Sequence, residues 1–196
     1  KLIMPGRALT VVSHQQGSKQ SMMPESHKEL NKDVVRHIQK AFLIGDERTF
    51  DEDPRFGLVA LSQIAGRAMS PAINDPGTVI DIIGTMVRLF AIWCPPAEEE
   101  VADDQSQQSC YKNVAVPRLN LDAMFDDAFG AIGRDGAANV EVAVRLQTAL
   151  ASLASIKNNE MAEAALRQAR IALDRSEAAL QIEHDLKAVR EASIVQ

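Results

Sequence analysis

Three short stretches of this chain gather side chains able to bind or transfer polar groups: "GDERTFDEDPRFG" at 45–57, "SPAINDPGT" at 70–78 and "GRDGAAN" at 133–139. In the first, Asp51 and Asp53 make a carboxylate pair beside Arg48 and Arg55, a set suited to a cation or a polar ligand. A solvated turn followed by a helix cap uses the same residues, because acids are favoured at a helix N-terminus, and this plainer reading is preferred. In the second, Gly77 and Thr78 at a helix start invite a phosphate. The stretch lacks the lysine and the second glycine of a phosphate-binding loop, however. Pro76 also removes an amide donor, and Asp75 places a negative oxygen where the anion would sit. A tight joint between two apolar helices accounts for it better, with Asp75 as the cap and Asn74 bonding local backbone or tolerating a left-handed conformation.

The third stretch brackets Arg134 and Asp135 between Gly133 and Gly136, with Asn139 one turn into the next helix. It reads either as a helical connection capped by Asp135 or as a site in which Arg134 reaches the carboxylates of the first two stretches. The helix starts at Asp53, Asp75 and Asp135 decide between them. If those starts lie on one side of the molecule, Arg48, Asp51, Asn74, Asp75, Thr78, Arg134 and Asn139 share a cleft. Carboxylates beside arginines would there favour a small polar or zwitterionic ligand over a bare phosphate, since the acids repel anions.

Other chemistries find little support. His14, His27, His37 and His184 are scattered, without the paired spacing of a metal site, and no cofactor motif occurs. Cys94 and Cys110 belong to no CxxC pair and are read as reduced thiols, although a disulfide across the acidic 97–104 loop stays open. No GxSxG or catalytic-cysteine context is present. The formal net charge is −6 and no basic stripe runs through the chain, which argues against a nucleic-acid partner.

The elements that must position these residues are helical. Hydrophobic residues make up 46% of the 196, but aromatics only 4%, a mix that suits helices packed through small aliphatic side chains. "KLIMPGRALTVVS" reads as a small β element over 1–13, and polar residues 14–28 as a flexible loop. Helical periodicity begins at Glu29 and one globular helical unit is expected over 29–196. Its first helix carries Leu30, Val34, Ile38 and Phe42. A second starts at Asp53-Pro54, buries Leu58, Leu61, Ile64, Ala65 and Met69, and ends at Ser70-Pro71. A third, over about 76–93, is apolar nearly all round and is placed at the centre of a bundle-like, mainly α domain. Further helices are expected over about 120–132 and 137–155. A final pair, or one long bent helix, covers 161–193, with Ala179, Ile182, Leu186 and Val189 as a packing seam. The run Val79 to Trp93 carries Asp81 and Arg88 and falls short of the ~18–20 uninterrupted apolar residues that span a bilayer. No signal peptide is read at the start.

The stretch "AFLIGDERTFDEDPRFGLVALSQIAGRAMSPAINDPGTVIDII" resembles the signature of the domain-of-unknown-function 2254 family of predicted bacterial membrane proteins. That family carries R-T-x-x-x-D-P-x-F-G, matched here by Arg48, Thr49, Asp53, Pro54, Phe56 and Gly57. It then carries A-L-S-P-A-x-N-D-P-x-T-A, matched by Ala68, Ser70, Pro71, Ala72, Asn74, Asp75, Pro76 and Thr78, with Met69 and Val79 departing at apolar positions. Asp127 to Gly130 and Arg134 to Val142 resemble a downstream "DAFG…RDGAANVEV", and the opening resembles V-x-x-G-x-P-L with Ala8 where proline is expected. The resemblance covers most of 1–155. It implies transmembrane helices ahead of this chain, which are the partner expected for it, and a place at the bacterial inner membrane. This part is expected to face the cytoplasm, in agreement with an acidic domain holding two unpaired thiols. It carries over no reaction and no catalytic residue. The expectation is therefore a regulatory, ligand-sensing or assembly module for the transmembrane part, with a homo-oligomer compatible with that role. The alternative is an enzyme whose Asp/Arg/Asn pocket does hydrolytic or transfer chemistry.

Overall fold

The computed structural model describes residues 33, 36, 37, 40, 50, 53–93 and 119–195. They belong to two compact units, Lys1–Gly45 and Asp46–Gln196. Of the first unit, Asp33, Arg36, His37 and Lys40 are helical, and His37 Nδ1 lies 2.7 Å from the Asp33 carbonyl oxygen. The β element of 1–13 and the loop of 14–28 lie outside the described residues. Among the described residues every regular element is a helix, so the chain is mainly α.

Among the described residues six helices build the second unit: α1 (Pro54–Ala68), α2 (Pro76–Trp93), α3 (Leu121–Asp135), α4 (Val140–Ala154), α5 (Asn159–Ala179) and α6 (Glu183–Ala192). Short polar side chains set where they begin. Asp53 Oδ1 accepts the N–H groups of Arg55 and Phe56 at 3.1 and 3.2 Å, and Pro54 takes the first helical position, where no N–H is needed. Asn120, Asn139 and Asn158 cap α3, α4 and α5 in the same way, accepting from Ala123, Val142 and Met161 at 2.8, 3.0 and 3.0 Å.

The helices fall in two rows. Helices α1, α3 and α5 pack side by side in one, and α2, α4 and α6 in the other. Helix α3 buries Leu121, Met124, Phe125, Ala128, Phe129, Ile132 and Gly133, an unbroken 3–4 spacing that gives it one continuous apolar stripe. Phe90 of α2 packs against its aromatic rings, with centroids 4.5 Å from Phe125 and 5.8 Å from Phe129, which are 5.5 Å from each other. Helix α5 meets its neighbours through Ala164, Ala165, Ala169 and Ala172, small residues that let backbones approach. Gln147 of α4 is buried there and donates to the Ala169 carbonyl at 2.9 Å.

Several elements differ from the periodic reading. Helix α2 contributes one stripe to the core: Val79, Ile82, Ile83, Met86 and Phe90 are its five buried residues out of eighteen. At 100° per residue Asp81 and Arg88 lie opposite that stripe, and both are exposed. On α1, Ile64 is exposed and Ser62 is buried, because Ser62 shares the face of Leu58 and Ala65. Asp135 ends α3 and does not cap α4. Residues 136–138 form the turn, and the cap falls to Asn139. The supposed seam of the last helices breaks at Leu180, whose extended backbone (φ −82°, ψ 135°) ends α5 and leaves Ile182 exposed in the joint. Of that series, Val189 is buried.

The turn between α3 and α4 is tight at Gly136. A Cβ there would stand 2.5 Å from Val142 Cγ1 and 2.9 Å from the Ile132 carbonyl oxygen. Gly136→Ala is expected to destabilise the unit by about 1–3 kcal/mol, as overpacking does. Val142→Ala in the same chain should recover part of that loss. Urea unfolding of the three proteins checks it.

Candidate functional site

The stretch at 70–78 is a knitted joint. Ser70 donates its N–H to the Arg67 carbonyl at 3.1 Å, and its own carbonyl accepts from Ile73 and Asn74 at 3.0 and 2.9 Å. Asp75 then donates back to Ala68 at 2.8 Å, closing the loop on the end of α1. Asn74 holds φ 46°, the left-handed region that asparagine tolerates better than most residues. Asp75 starts α2: its Oδ1 accepts the Thr78 N–H at 3.2 Å and its Oδ2 the Thr78 hydroxyl at 2.6 Å. Those two bonds, the hydroxyl's first, hold the Asp75 carboxyl below the usual aspartate range.

At the far end of α3, Arg134 turns its guanidinium onto its own neighbour, with Nε 2.8 Å from Asp135 Oδ1 and a nitrogen of the fork 3.2 Å from Oδ2. Asp135 in turn lies over α1, since a Cβ on Gly66 would meet its Oδ2 at 3.3 Å. The third stretch therefore sits beside the last turns of α1, just ahead of the joint. Asn139 is occupied as the cap of α4. Among the described residues no hydrogen bond or ion pair joins Asn74, Asp75 or Thr78 to Arg134 or Asn139. Arg48 and Asp51 lie outside the described residues.

The strongest polar ties run elsewhere, and sequence reasoning missed them. Arg55, the second residue of α1, brings Nε and a terminal nitrogen to 2.6 Å from Asp127 Oδ2 on α3. A further contact reaches the Ala123 carbonyl at 3.5 Å. The hydrogen bond to Asp127 raises the Arg55 pKa beyond its ordinary value against the opposing effect of burial. On the other flank of α3, Arg167 of α5 bonds Asp122 at 2.9 Å and Asp126 at 3.2 Å. Gln168 donates to the same Asp126 carboxylate, and Arg175 donates to the Gly130 carbonyl at 2.9 Å. Helix α3 is thus held from both sides through its Asp residues. The one available signal was that Arg55 and Asp127 both fall inside family-like motifs, but 72 positions separate them.

A hollow beside the α3–α4 turn, lined by Ile132, Gly133, Ala137, Leu146, Ala172 and Ser176, has no room for a water molecule. Among the described residues no group of three His, Cys, Asp or Glu side chains is placed to hold a metal. Helix α2 has the length and mean hydropathy, 1.3, to cross a bilayer by composition, yet one of its stripes is packed in the core.

These features define a mainly helical module in which, among the described residues, polar side chains cap helix starts and tie neighbouring helices together. The chain belongs to the family described as "Predicted membrane protein (DUF2254)", whose model matches residues 1–152. It is similar to "Uncharacterized protein Rv1290c" of Mycobacterium tuberculosis and "Uncharacterized protein Mb1321c" of Mycobacterium bovis, each 49% identical over 70 residues. That stretch is 36% of this chain but 12% of each relative, so the relatives extend well beyond what is matched. No solved structure matches.

The joint makes a pH-dependent prediction. The Asp75 carboxyl is held below its ordinary value of 3.8 in the folded chain. Its contribution is therefore complete above that value and is lost as pH falls through the lower folded pKa. Wild type should unfold at a higher temperature than Asp75→Ala at neutral pH, and the gap should close progressively below 3.8. Thermal melts of both proteins across the acid range check the sign.

Proposed function

We infer that this chain is an assembly module for the membrane-embedded part of its protein, working by shape and contact and carrying out no reaction of its own. One observation carries the reading: Asp53, Asp75 and Asn139 are each spent on a helix start, Arg55 on Asp127, and Arg134 on Asp135. A catalytic or sensing constellation needs groups that converge on a reacting or bound atom and are left available to it. Side chains committed to caps and inter-helix ties supply rigidity. Membership in a family of predicted membrane proteins supports the setting. The reading places the module at the bacterial inner membrane, on its cytoplasmic side.

Under this reading Asn74, Asp75, Thr78, Arg134 and Asn139 of the candidate cluster hold helices and joints in place. Native mass spectrometry of the complete gene product, purified from its host, tests it. The expected result is the polypeptide with lipid alone. A stoichiometric small polar ligand that Arg134→Ala removes, with the helical spectrum intact, would overturn the reading in favour of a ligand pocket.

A further inference from the structure

Helix α2 turns one side to the core, and the side opposite its buried stripe is built of alternate small and charged residues. In steps of four and three it runs Gly77, Asp81, Gly84, Arg88 and Ala91. Seven residues bring an α-helix back to within about 20° of the same direction, so these five share one face. Gly77, Asp81, Arg88 and Ala91 are exposed and Gly84 is half-buried. Two features of this face have no use inside the described unit. Gly84 stands in the middle of an eighteen-residue helix, where glycine is less favourable than alanine. Among the described residues an added Cβ there would meet only the flexible tip of Arg88, at 3.6 Å, so packing does not call for the missing side chain. The second feature is the charges. Arg88 donates to the Thr85 hydroxyl at 2.9 Å, and that hydroxyl donates to the Asp81 carbonyl at 3.0 Å. Among the described residues no ion pair takes up either Asp81 or Arg88.

We propose that α2 pairs with α2 of a second copy of this chain, antiparallel, about a two-fold axis between Gly84 and Thr85. Asp81 and Arg88 lie equally far along the helix on either side of that point. The two-fold rotation sets Asp81 of each copy against Arg88 of the other and closes two ion pairs at once. It also sets Ile92, exposed to 80%, against Gly77, while Gly84 lets the two backbones approach closely. The order of the charges selects this occupant. A face with one acid and one base placed evenly about its midpoint is its own complement when reversed. A bilayer interior would have to take up both charges, and an apolar helix would leave them covered and unpaired. A foreign helix would need the same two charges in the opposite order, which a second copy supplies by symmetry. The pairing goes beyond the assembly reading and does not depend on it.

The test places a photo-crosslinking residue at the exposed Ala91 in the complete gene product, in its own membrane. The antiparallel register puts Ala91 opposite Thr78, so the expected adduct joins two copies and maps to the first turn of α2 in the second. Asp81→Arg and Arg88→Asp should each lower the yield several-fold. Both changes in one chain should restore it, because the rotation then meets the same pairs with their signs exchanged. Gly84→Leu should lower it as well, by holding the backbones apart. The helical spectrum should stay unchanged in the charge variants, since both side chains are exposed. Adducts confined to one chain, to lipid or to another protein would overturn the pairing. So would a yield indifferent to the single charge changes, or a double variant as low as the singles. None of these outcomes bears on the assembly reading, which a stoichiometric small ligand would remove whatever the adducts show.

Discussion

The Arg55 guanidinium, 2.6 Å from Asp127, sets how α1 lies along α3. The free energy of the unit comes from elsewhere. Phe90, Phe125 and Phe129 are fully buried, and each contributes about 1.5–3 kcal/mol on removal from water. The ion pair is part-exposed, with 35% of the arginine and 24% of the aspartate side chain open to solvent, so it contributes on the order of 1 kcal/mol or less. Apolar stripes tolerate a slide of one turn, because i and i+4 positions resemble each other. A directed pair between fixed points on two helices does not, and specifying register is the best attested use of such pairs. With that register set, Asp135 falls against Gly66, and Phe90 of α2 finds its place among the α3 rings.

Helix α3 extends the same principle to its other flank. Asp122 and Asp126 receive Arg167, Asp126 also receives Gln168, and the Gly130 carbonyl receives Arg175. All of these come from α5, so polar ties fix α3 between α1 and α5 while its apolar stripe faces the second row. The acidic stretch "LDAMFDDAFG" grips two neighbours at once, Arg55 of α1 through Asp127 and Arg167 of α5 through Asp122 and Asp126. Of the family-like residues that the structure describes, Asp53, Asp75 and Asn139 serve as helix caps and Asp127 as a tie to α1.

Much of this was legible in the chain. Asp-Pro pairs start helices for a local reason, the cap and the missing N–H, and both starts stand where the pattern puts them. The left-handed Asn74 comes from local chemistry too. The features that were not legible depend on distance. The partner of Arg55 lies 72 residues away and no local rule selects it. Helix α2 looked apolar all round because Asp81 and Arg88 are few, yet two charges on one side were enough to mark the face left open. The cap of α4 moved from Asp135 to Asn139 because α3 runs on to its own C-terminus at Asp135. Between the candidate site residues, the chain specified each local role and left their mutual placement to the packing.

In the described unit polar side chains cap helices or tie them together, and Arg55 with Asp127 is the tie between α1 and α3. A double-mutant cycle with Arg55→Ala, Asp127→Ala and both together, read by urea unfolding at low and high salt, tests that claim most directly. The expected result is a favourable coupling of about 0.5–1 kcal/mol that weakens as salt is added. A double mutant that loses the plain sum of the two single losses at both salt concentrations would contradict it.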